Sequence, residues 1–181
     1  MPIASGDIRF YLSTNAGAAG NTTSGTLATA LGKYCSTSQI NDNTLNNLFP
    51  DASGDQNAAS VTDYRAIYIV NSNPSGLVMQ NTVVWFSAEV SGGATQQMAV
   101  DNILSSGIGS STAQMALIAS PTTAPTNVGA FSFPTTKGAA LSLGNIASGS
   151  GRGLWISRSC ANTSAVNNDG ATIVVNCDSA A

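Results

Sequence analysis

The chain has no histidine among its 181 residues. That one absence removes Ser-His-Asp and Cys-His constellations and every histidine-liganded metal site. Carboxylates are scarce as well. Glu89 is the single glutamate, so a glycosidase pair would need Glu89 with an aspartate, or two aspartates. Charged residues make up 8% of the chain, against roughly a quarter in ordinary soluble domains. The six basic residues (Arg9, Lys33, Arg65, Lys137, Arg152 and Arg158) are scattered, and the net charge is −3. Phosphate neutralisation needs clustered Lys and Arg, so no nucleic-acid partner is expected. No apolar run approaches the roughly 18 residues of a membrane span. The opening MPIASGDIRFYL lacks the basic and apolar regions of a secretory signal. The expectation is a non-enzymatic chain with no cofactor, no metal and no membrane contact, made in a cytoplasm.

Cysteine is sparse and odd in number. Cys35, Cys160 and Cys177 fit reduced, packed thiols better than a disulfide framework, and no CxxC pair is present to hold a metal. Cys160 and Cys177 flank an expected hairpin with its turn near Val166 and Asn167. That register sets Cys177 opposite Leu154, so a Cys160–Cys177 bridge is not expected. No SxxK nucleophile and no GxxxxGK[ST] phosphate cradle occurs.

What is there reads as β-structure. In residues 64–70, Tyr64, Ala66, Tyr68 and Val70 fall on one face and Arg65, Ile67 and Ile69 on the other. The punctuation NSNPSG then stops the strand, and a second apolar run, VVWF at 83–86, follows as the other arm of a hairpin. Ile8, Phe10 and Leu12 alternate in a first strand over residues 7–13. Residues 33–39 form a short strand, and 43–49 carry Leu45, Leu48 and Phe49 into the core. Further strands are expected at 94–100, 139–143, 153–160 and 171–177. Residues 115–119 fit a strand or a helix equally well. Several short strands at this spacing indicate an all-β fold. The predicted architecture is a single antiparallel β-sandwich over residues 1–181, Ig-like, Greek-key or jelly-roll in style, with long Gly/Ser/Asn-rich loops. An extended arm and loop occupies 1–30, and a proline-rich connector 120–134.

The remaining polar residues offer little chemistry. Asp51 and Asp55 lie four apart in a Gly/Ser-rich loop and read as solvated turn aspartates. The Asn41-Asp42-Asn43 and Asn167-Asn168-Asp169-Gly170 stretches lack the alternating ligands and terminal Glu of a calcium loop, and read as turns. Trp85 and Trp155 sit in apolar strand runs and read as core, with an exposed sugar-stacking platform as the functional alternative. The sequons at Asn21 and Asn162 matter only in a secreted eukaryotic protein.

Three blocks carry a resemblance. They are GDIRFYLS at 6–13, TSQINDNTLNNLFPDASGDQNAASVTDYRAIYIVN at 37–71, and LSLGNIASGSGRGLWISRSC at 141–160 followed by VNNDGATIVV at 166–175. In these phrases, over roughly half of its length, the chain resembles small virion structural proteins of tailed bacteriophages. The resemblance implies a non-enzymatic β-sandwich that decorates or cements the outside of a capsid, with neck or tail attachment next. It implies the major capsid protein and copies of itself as partners, as a homo-oligomer or trimer. It implies no catalytic residue. On this reading the loops 15–25 and 121–133 and the two chain ends are the expected contact segments, because irregular low-charge segments can mould to a neighbour. A carbohydrate-binding or adhesin module using Trp85 or Trp155 is the rival from another class.

Overall fold

Strand β1 (Ile8–Thr14) starts the larger sheet. Its alternation sends Ile8 and Phe10 to the same side as Ile67 and Ile69 of β3 (Thr62–Asn71), with which it pairs antiparallel. The computed structural model describes residues 2–17, 23–103, 106–107 and 114–179. Within them nine strands form two antiparallel sheets. The larger runs β2 (Tyr34–Gln39), β1, β3, β8 (Ser150–Ser159), β5 (Thr95–Val100), with the short β6 (Ser106–Gly107) also on β8. The smaller runs β7 (Leu141–Ile146), β4 (Met79–Glu89), β9 (Ala171–Ser179). A one-turn helix, α1 (Gly54–Ala58), sits on the 40–61 connection. It is capped reciprocally by Ser53 and Gln56.

The two sheets pack face to face as the expected β-sandwich. Ile67, Ile69, Leu154, Ile156 and Met98 of the larger sheet meet Met79, Val84, Phe86, Leu143 and Ile146 of the smaller. A second core lies on the opposite face of the larger sheet. There Leu31, Met115 and Ile118, on irregular chain, cover Ala66, Tyr68, Val70 and Trp155. Strands β3 and β8 are therefore buried on both faces, which accounts for their apolar residues at successive positions. Gly32 is needed where this cover closes. Its φ is +105°, and a Cβ there would stand 2.1 Å from the Ala116 carbonyl oxygen.

Several expectations are corrected. β3 and β4 do not pair as a hairpin: the NSNPSG turn carries the chain from one sheet to the other. The β8–β9 connection crosses in the same way, so Cys160, just past the end of β8, and Cys177 on β9 belong to different sheets, and all three thiols are free. Leu45 does not enter the core. It is 70% exposed, because Asn43 and Asn46 on either side take left-handed backbone conformations (φ +55° and +56°) and turn it outward. Leu48 and Phe49 do pack inward. The segment 115–119 is neither strand nor helix; Met115 makes only an isolated bridge to Lys33. The arm 1–30 contains β1, a full member of the larger sheet. Residues 18–22 of the 15–25 loop, including Asn21, lie outside the described residues, as do Met1 and residues 180–181.

Candidate binding surface

Chemistry-bearing side chains gather at three places. The first is the mouth of the second core. Asp101 is fully buried, and its carboxylate accepts from the Trp155 indole Nε1 at 3.0 Å and from the Ile103 amide at 2.9 Å. Burial raises its pKa above the ordinary 3.8, and these hydrogen bonds together with nearby Arg152 oppose that rise. Tyr68 donates its hydroxyl to the Lys33 carbonyl, and burial pushes its ionisation up. Burial also pushes the Cys35 thiol up to about 12, which leaves it unreactive near neutral pH. Asp101, which also accepts from the Ala116 amide, and Tyr68 hold the covering chain in place, while the Cys35 thiol donates to the Ser36 carbonyl on its own strand.

The second place is one end of the main core. Asp63 and Arg158 form a buried ion pair at 3.0 Å, and Arg158 also donates to the Pro50 carbonyl. The guanidinium groups of Arg158 and the buried Arg65 lie 4.9 and 5.7 Å from the Phe49 ring centroid. The arrangement pins the 40–50 connection over the end of the sandwich. Asp51 and Asp55 are exposed nearby, and Asp55 lies in the first turn of α1. Among the described residues no three Asp, Glu or Cys groups come together as a metal site.

The third place is an open groove of about 340 Å³ along the free edge of β9. Ile173, Val174 and Val175 form one wall. Ile8 and Phe10 of β1 and Ile40 just after β2 form the floor, with Ser5, Arg9, Gln39, Asn41 and Asp42 at the rim. Ile8, Phe10, Ile40, Ile173 and Val175 are all half-buried against the main core, so the core reaches the surface here. Arg9 donates to Gln39 at 2.9 Å and its charge lies near Asp7. Asp42 is exposed, and its carboxylate has no partner among the described residues.

The two tryptophans part company. Trp155 is 0% exposed and its N–H is committed to Asp101, so it offers no sugar platform. Trp85 is half-buried on the outer face of the smaller sheet, opposite Val174 and two residues from Val83. Asp169, read from sequence as a turn residue, does more. It accepts from the Ala94 amide at 2.7 Å and fastens the 92–94 turn to the loop before β9. Sequence reading missed the groove entirely, since it exists only where two sheets of unequal width meet. The one local signal was the uncharged, β-branched run Thr172–Val175 with no Lys, Pro or Gly to blunt a sheet edge.

The structure thus defines a two-sheet antiparallel β-sandwich with an open groove at one sheet edge. Comparisons with protein-family models, with curated proteins and with solved structures return no match.

Proposed function

We propose that this chain is a non-enzymatic structural protein of a tailed-phage virion, binding the outside of the capsid shell as a decoration or cement protein. The observation that carries the reading is how the few charges are placed. Asp63, Arg65, Asp101 and Arg158 are buried, and of the six basic residues only Arg9 and Lys137 are exposed. What remains outside is a surface dominated by amides, hydroxyls and apolar groups, with few charges among them. Such a surface packs against neighbouring subunits with little charge to desolvate. On a symmetric lattice many modest contacts of this kind sum to high avidity. The exposed charge is mainly acidic, which supports protein neighbours over nucleic acid. No helix among the described residues is long and apolar enough to cross a membrane.

The experiment is immunogold labelling with quantitative mass spectrometry of purified particles. A copy number matching the shell lattice supports the cement role. A copy number matching one ring moves the chain to the neck or tail, and absence from particles refutes the reading. The adhesin alternative now rests on Trp85 alone. No binding on a glycan array, with particle binding intact, removes it.

A further inference from the structure

We propose that the β9 groove is an acceptor site for one extended strand of a partner polypeptide, a strand with apolar side chains at every second position and a cationic residue beside Asp42. The groove would accept such a strand whether or not the chain resides on a virion.

The edges of the two sheets differ in how they are covered. β2 is covered where Thr37 donates to the Thr23 carbonyl and Ser38 exchanges hydrogen bonds with Gly25. β5 is covered by bridges from Met98 to Ser132 and from Asp101 to Val128. β7 is blunted by Gly144 at φ +71° and by irregular register against β4. Among the described residues β9 has no such device: both irregularities in its pairing place the extra residue on β4, which leaves β9 regular.

Its backbone is presented outward at defined positions. Phe86 donates its amide to the Pro134 carbonyl on the β7 side of β4. Phe86 therefore does not bond toward β9, and Trp85–Val174 is the hydrogen-bonded pair of that ladder. The N–H and C=O groups of Ile173 and Val175 then point into the groove, where they have no partner among the described residues. An added strand about 4.8 Å beyond β9 would lie over the β1–β2 floor. Every second side chain would meet Ile8, Phe10 and Ile40. Main-chain bonds and alternate apolar pockets are the two elements of strand addition. At the rim Arg9 is tied to Gln39 and lies near Asp7, whereas the Asp42 carboxylate has no partner among the described residues, so the Asp42 end favours a cation.

The same floor argues against β9 pairing with β9 of a second copy. A two-fold axis normal to the sheet would bring both larger sheets to one side, where their projecting β2 edges collide. A single strand has no such obstacle.

The test appends a strand of alternating valine and threonine after Ala181 through a Gly-rich turn, so that it can fold back on β9. The core is untouched, and the control carries proline wherever the added amides would face Ile173 and Val175. Amide exchange at Ile173 and Val175 should slow by roughly tenfold or more with the strand and stay unchanged with the proline control. The same strand as a free peptide, with a lysine at each end, should protect those amides in the native chain and bind more weakly to Asp42→Lys. Absence of protection, or equal protection by the proline control, overturns the proposal. So does a native dimer, by sedimentation, that already protects both amides, because a second copy would then be the occupant.

Discussion

Replacing Asp63 by alanine tests the reading of the Asp63–Arg158–Arg65 cluster as a structural clamp. The pair is 3.0 Å apart, with side chains 5% and 10% exposed. At an effective dielectric of about 20, that separation corresponds to roughly 5–6 kcal/mol of attraction, of which desolvation cancels a large part. The net worth of the intact pair is therefore small. Breaking it is another matter. Asp63→Ala leaves Arg158 and Arg65 as two buried like charges over Phe49, with no carboxylate between them. The expected loss is about 3–5 kcal/mol, a large share of the ~5–15 kcal/mol that holds an ordinary domain. Urea unfolding followed by circular dichroism should show the midpoint falling by roughly 1–2 M at unchanged slope. The double variant Asp63→Leu with Arg158→Leu should lose less than Asp63→Ala alone, because one buried cation remains in place of two. A midpoint shift below about 0.5 M, or a double variant that costs more than the single, would refute the reasoning.

Other perturbations reach the second core. Asp101 holds its proton to higher pH when folded, so stability should fall as pH rises from the ordinary 3.8 through the raised folded value. Subtracting the pH–stability curve of Asp101→Asn should isolate that slope. Trp155→Phe leaves the Asp101 carboxylate one donor short and should cost about 1–3 kcal/mol by thermal unfolding. Gly32→Ala should cost more than about 2 kcal/mol, since left-handed strain adds to the clash with Ala116, and thermal melts would show it directly. Alkylation near pH 8, read by mass spectrometry, should spare Cys35 in the native protein and modify it in urea.

The strands were legible in sequence because side-chain alternation needs only neighbours along the chain. Ile8, Phe10 and Leu12, and the two faces of residues 64–70, fall where period two puts them. Partner choice was not legible. A turn such as NSNPSG reverses the chain equally well within one sheet or between two, so the expected β3–β4 and β8–β9 hairpins are crossings. A clue was present in β3, where both faces are apolar; such a strand needs cover on each side, and a simple two-layer sandwich gives it only one. Leu45 misled because hydrophobicity was weighed without the left-handed tendency of Asn43 and Asn46. The clamp at Phe49 and the β9 groove join residues far apart in sequence, and no local pattern records such meetings.

The pairing of β3 with β8 also sets a timetable. Thr62 meets Ser159 and Val70 meets Gly151, so the strand at the centre of both cores leaves the ribosome long before its neighbour exists. At about 5–20 residues per second the wait is on the order of ten seconds, during which β3 has β1 as its one paired strand. The first half of this polypeptide therefore lacks one of the two strands that pair with β3. Its consolidation must await the last third of the chain, and any holding factor that acts on it must act during that interval.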